Sequence, residues 1–167
     1  MAKYLTNSAG TITEVSGLAT SAGAGDVGKI PQLDAAGRLD NSFMPTGIAA
    51  DTAAITASEA LLAGDLVNIW NSTGAKARKA DAATSGKRAH GFVLAAVSSS
   101  ATATVYFEGT NTQVTGLTPG ELFLSATTPG LATSTAPSAT GQTVQRVGFA
   151  TAATAMNFQA GEPITLV

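Results

Sequence analysis

From residue 51 onward the apolar residues fall in short blocks, some alternating with polar residues and some unbroken, each closed by glycine, proline, asparagine or serine. Residues 53–57 open the series, and 58–63 read as one helical turn or an irregular corner. Residues 66–70 and the basic stretch 75–80 are set to pair as a hairpin across Asn71-Ser72-Thr73-Gly74. The segment 89–97 is the most continuously apolar, as a strand covered on both faces requires. Residues 101–108 alternate small or apolar side chains with threonine, the pattern of a half-buried neighbour. Residues 112–114 continue or reverse the sheet, 121–125 form a strand and 131–135 a weak edge, and 144–150, 155–158 and 163–167 complete the set. Strands recurring every ~8–12 residues between turns predict an all-β fold, a single small β-sandwich or β-barrel domain over 51–167. No helix longer than about two turns is expected, and no fixed period suggests a solenoid.

The first 50 residues have a different pattern. Two short strands, at 4–6 and 11–15, flank the turn residues Asn7-Ser8-Ala9-Gly10. Residues 16–28 are rich in glycine, alanine and serine and almost free of bulky apolar groups, so they read as an extended or flexible stretch that a partner orders. Residues 28–45 then form a hook: extended chain interrupted by Pro31, a turn at Asp34-Ala-Ala-Gly37 with glycine where positive φ is needed, and extended chain again from Arg38. Pro31 lacks an amide donor and belongs at an edge or outside a sheet. We therefore expect an extended N-terminal arm, 1–50, whose hook lies on another surface. Ile30, Leu33, Asp34, Gly37, Leu39, Phe43 and Met44 are the expected partner-binding residues, because so short a segment has too little chain around it to bury its own apolar surface.

Composition narrows the role of such a body and arm. Charged residues make up 12% of the 167 and the formal net charge is -2, so no basic field exists to attract nucleic acid. Aromatic residues are only 5%, and a core of alanine, valine and leucine buries little area per residue, which favours oligomerisation. There is no cysteine, hence no disulfide, thiolate metal site or cysteine nucleophile. No apolar run has the length of a secretory signal or a membrane span, and the chain is expected to be made in the cytosol and to stay off membranes.

Candidate chemistry is sparse. Gly23-Ala-Gly-Asp-Val-Gly28 matches the dinucleotide fingerprint in letters, but no strand precedes it, and Pro31 follows where a helix should start, so it reads as a linker. His90 is the lone histidine, with no nucleophile presented to it, and reads as a strand-end or interface residue. The acidic residues fall singly at turns (Asp34, Asp65, Asp81) or beside strands (Glu108, Glu121) without metal-ligand spacing. Lys76, Arg78, Lys79, Lys87 and Arg88 are the one basic concentration, with no aromatic residues interleaved in sequence, and read as solvated hairpin tips or subunit salt bridges. Asn71-Ser72-Thr73 is explained by a turn. Trp70, Phe92, Phe107, Phe123, Phe149 and Phe158 read as core. The expectation is a protein without catalytic residues, cofactor or metal, not an enzyme.

The hook, Gly28-Lys-Ile-Pro-Gln-Leu-Asp-Ala-Ala-Gly-Arg-Leu-Asp-Asn-Ser-Phe-Met-Pro-Thr-Gly47, resembles a segment common in tailed-bacteriophage structural proteins. The rest, with Ala63-Gly-Asp-Leu-Val67, Ala89-His-Gly-Phe-Val93 and Gly161-Glu-Pro-Ile164, is similar to the small β domains of phage head-decoration proteins. The resemblance implies a capsid cement protein on the outer surface of the virion. Its partners would be the major capsid protein and itself, as a homotrimer in preference to a dimer, and its arm would clamp neighbouring capsid subunits and stabilise the capsid. The alternative is a tail-fibre, head-fibre or baseplate component involved in attachment.

Overall fold

The structure is a computed structural model and describes residues 3–44 and 50–167. The chain divides into two compact units, Met1–Ala49 and Ala50–Val167.

In the first unit, β1 (Lys3–Ser8) and β2 (Thr11–Ser16) form an antiparallel hairpin in which Lys3 faces Ser16 and Ser8 faces Thr11. The Asn7 carboxamide oxygen accepts the Gly10 amide at 2.9 Å and closes the turn. Both strands extend a residue or more beyond the predicted ones. The stretch read as flexible is folded back on itself: residues 24–26 make a 3-10 turn closed by Asp26, whose carboxylate accepts the Ala22 amide at 2.5 Å and pairs with Lys29 at 2.7 Å. Leu18 bridges to Pro31 in parallel, donating to Ile30 O and accepting from Gln32 N, both at 2.9 Å. That geometry asks nothing of the nitrogen of Pro31, which is why proline fits there.

The second unit is all-β. Strands β3 (Thr52–Ala57), β4 (Leu66–Asn71), β5 (Ala75–Lys79), β6 (Gly91–Val93) and β7 (Thr102–Tyr106) close a barrel in the order β3-β5-β4-β6-β7. All its pairs are antiparallel except β3 with β5, which meet in parallel at Thr56–Lys76 and Ala57–Ala77. A second sheet has the order β10-β9-β12-β13-β8, from β8 (Gly109–Asn111), β9 (Gly120–Leu124), β10 (Ala132–Thr133), β12 (Arg146–Ala152) and β13 (Ala155–Phe158). Strands β11 (Thr143–Val144) and β14 (Ile164–Thr165) form a separate two-stranded ladder.

Alternation along the barrel strands sorts their side chains into two cores. Ala57, Leu61, Val67, Ala77, Val93, Ala103 and Val105 fill the barrel, where five strands leave a lumen that small side chains occupy. Leu66 and Phe92 point the other way and meet Leu122, Leu124, Val147, Met156 and Phe158 of the second sheet. Phe92 stacks on Tyr106 with centroids 5.4 Å apart and leans on Phe158 at 5.6 Å. The alanine-rich, aromatic-poor composition thus follows from a narrow barrel with one aromatic cluster beside it. Two buried amides join the layers: Asn111 donates to Gly64 O at 2.9 Å, and Gln145 both accepts from Ala89 N at 2.7 Å and donates to Ala89 O at 2.9 Å.

Some expectations need correction. The apolar segment 89–97 is a strand only at Gly91–Val93, and Ala95 and Ala96 lie exposed, because Leu61 captures Val97 in an isolated bridge and draws the chain off the sheet. The strand sought at 112–114 falls at Gly109–Asn111 instead. Phe149 is exposed, and Trp70, Phe107 and Phe123 are only half-buried.

Candidate functional site

The hook is built by two aspartates. Asp34 Oδ1 accepts the amides of Ala36 and Arg38, both at 2.8 Å, while the Asp34 amide donates to Arg38 O at 2.8 Å. Gly37 has φ +73° and donates to Asp34 O at 3.0 Å, so this turn takes glycine at the left-handed position. Asp40 caps a 3-10 turn at Asn41–Phe43 by accepting the Ser42 amide at 2.9 Å. Ser42 Oγ in turn accepts the Ser21 amide at 2.7 Å, which ties the hook to the start of the preceding turn. Hydrogen bonds from Ser42 hold the Asp40 carboxyl below its usual range, and Lys29 with the Ala22 amide does the same for Asp26.

Of the seven residues expected to touch a partner, Asp34 and Gly37 shape the turn, and the apolar five surround it. Ile30 and Leu33 come together with Lys3, Tyr4, Gly17, Pro31 and Gln32 around a groove of about 380 Å³. The Tyr4 hydroxyl accepts the Ile30 amide at 3.4 Å, and Gln32 Oε1 is shielded from solvent with no hydrogen-bond partner among the described residues. Leu39 and Met44 are exposed and Phe43 is half-buried. Pro45, the last residue of the hook, lies outside the described residues.

No residue of 3–44 is buried. Its exposed large apolar side chains run from Leu39 and Met44 at 42% to Val27 at 85%, and include Leu5, Ile12, Ile30 and Leu33. Leu5 and Ile12 are additions to the expected set. They are diagonal neighbours on one face of the β1–β2 hairpin, where Leu5 stands opposite Glu14 and Ile12 opposite Asn7, and a salt bridge between Lys3 and Glu14 flanks them. Their alternation with polar residues in 3–8 and 11–16 carries the signal, but which face stays uncovered depends on what packs behind the hairpin.

Two of the basic residues of the barrel wall, Arg78 and Lys79, are held by their neighbours. Register puts Trp70 opposite Lys76 and Asn68 opposite Arg78. Arg78 lies over the Trp70 ring at 4.5 Å and donates from Nε to Asn68 Oδ1 at 2.9 Å. An aromatic residue is therefore interleaved with the basic ones in space, although not in sequence. Lys79 pairs with the buried Asp65 at 3.2 Å. His90 Nδ1 accepts the Ile69 amide at 2.9 Å, and Arg88 Nε lies 2.9 Å from Nε2. A neutral imidazole has one lone pair to offer; the strand fixes the Ile69 donor, so the ring proton sits on Nε2 and the exposed Arg88 rests beside it without a hydrogen bond to the ring. Burial, and then the charge of Arg88, push the His90 pKa down.

Residues 23–28 have neither a strand before them nor an α-helix after them. Among the described residues, no three His, Asp or Glu side chains gather as a metal site, and no helix is long and apolar enough to cross a membrane. No family model, no curated protein and no solved structure matches the chain.

Proposed function

We propose that the protein is a structural component of a phage particle that binds the outside of the capsid as a decoration or cement protein. It takes hold through its N-terminal unit and clamps neighbouring capsid subunits. One observation carries the reading: residues 3–44 bury none of their side chains and present seven large apolar ones, while Ala50–Val167 has two closed cores of its own. A segment held in shape by turns and a hairpin, with its apolar surface left open, gains its stabilisation by covering that surface on a partner. Among the described residues both strands of the β1–β2 hairpin have an unpaired edge, so main-chain hydrogen bonds to a capsid strand are open to it as well. Repetition around a shell would then multiply a modest contact into firm attachment.

The test incubates purified protein with capsids that lack it and measures bound copies and the temperature at which the shells open. Binding across the head in hundreds of copies, lost on deletion of residues 1–47, is the expected result. A few copies at a vertex or tail would transfer the protein to the attachment apparatus, and full binding by the deletion variant would overturn the clamp.

A further inference from the structure

A second surface lies on the barrel wall of Ala50–Val167. On β4 and β5 the odd positions Val67, Ile69 and Ala77 enter the barrel core, which turns Trp70, Lys76 and Arg78 outward on one face, over the buried Asn68. Hydrogen bonds run across this face from Arg78 Nε to Asn68 Oδ1 and from Asn68 Nδ2 to the Arg88 carbonyl at 2.8 Å, with His90 Nδ1 3.5 Å from the same nitrogen. Arg78 is thereby fixed between the Trp70 ring and Asn68, and among the described residues its terminal amino groups have no hydrogen-bond partner. Arg88 is exposed, with its Nε 2.9 Å from His90 Nε2. Among the described residues no carboxylate pairs with Lys76, Arg78, Lys87 or Arg88, whereas Asp65 is taken by Lys79, and Glu59 accepts the Lys79 amide at 2.7 Å.

We infer that this face, formed by Lys76 and Arg78 around Trp70 with Arg88 joined to it through Asn68 and set beside His90, docks a carboxylate-rich segment of a protein partner. A guanidinium already held in place loses little freedom on binding, and its planar fork matches a carboxylate in two hydrogen bonds. Two cations beside Trp70 and a third linked to them through Asn68 and set beside His90 suit two or three carboxylates. They do not suit a nucleic-acid strand, which needs a track of positive charge and free aromatic faces for its bases. Here the single tryptophan has a face covered by Arg78, and the chain as a whole carries a net charge of -2.

Because Trp70 is the only tryptophan, its emission reports on the face directly. The full chain is titrated with a short oligoglutamate peptide at low salt, and in parallel with an oligothymidylate of matched charge. The peptide is expected to give a saturable change in Trp70 emission that weakens as salt rises. Lys76→Glu and Arg88→Glu are each expected to weaken binding about tenfold. Far-UV circular dichroism establishes that each variant is folded, and if one is not, the other carries the test. No saturable change, unaltered affinity in the folded variants, or oligothymidylate binding as tightly as the peptide would each overturn the inference.

Discussion

Gly148 has φ +129°, and a Cβ there would stand 1.9 Å from Asn157 O, so β12 and β13 approach at this point only because the residue has no side chain. Gly148→Ala is expected to lower the unfolding free energy by about 3 kcal/mol, strain and overlap together. Gly74, at φ +107° with open space around it, should cost only about 1 kcal/mol when changed to alanine. Urea unfolding compares the two, and equal losses would remove the close approach as the cause. His90 makes a prediction of opposite kind, about pH. Its folded pKa is lowered from 6.5, so the folded state binds fewer protons than the unfolded chain between that lowered value and 6.5. Stability is therefore complete above pH 6.5, declines as pH falls below it, and levels off beneath the folded pKa. Thermal unfolding on either side of that pH should show the loss in the parent and a flat response in His90→Gln. Asp26 and Asp40 act in a separate window: their pKa values are lowered from 3.8, and what they contribute is lost only as the solution becomes more acid than that.

Among the elements, the turn at residues 34–37 is the one that the residue string specified in most detail. Aspartate followed three residues later by glycine encodes its own hydrogen bonds, and the structure supplies them at Ala36, Gly37 and Arg38. Asp34→Ala removes two acceptances, each worth about 1 kcal/mol at most. Hydrogen exchange at Ala36 and Arg38 is expected to quicken about fivefold, with the unfolding of Ala50–Val167 unchanged; slower or unaltered exchange would show that the turn is held by something else. The β4–β5 hairpin was legible for the same reason, since Asn71 to Gly74 is local turn chemistry and Asn71 Oδ1 accepts the Gly74 amide at 3.1 Å. The segment 89–97 misled because hydropathy says that a stretch prefers cover and not which atoms will cover it. A bridge from Leu61 to Val97 diverts that chain after three strand residues, and no local signal encodes a contact across that distance in sequence.

At the scale of the molecule, the two units differ in how they are stabilised. Ala50–Val167 has the barrel core, the aromatic cluster beside it and two buried amides that join them. Expressed alone, residues 50–167 should unfold in one cooperative transition with a free energy of about 5–10 kcal/mol. Residues 1–49 alone should show no cooperative transition, because 3–44 have nothing buried to lose. Calorimetry of the two fragments decides the matter: a body without a transition, or an N-terminal fragment with one, would refute this division of stability.

The sequence by itself determined the all-β class, most strand positions, the hook turn and the shift in character near residue 50, because alternation and turn chemistry act between near neighbours. Tertiary structure alone decided that the barrel closes through a parallel pair of β3 and β5 and that alanine lines it. It also decided that Trp70, Lys76 and Arg78 meet on one face, and that the Arg88 carbonyl is joined to it through Asn68. Those outcomes depend on register and on contacts between residues far apart in the chain, and such contacts leave no periodic trace in the order of the residues.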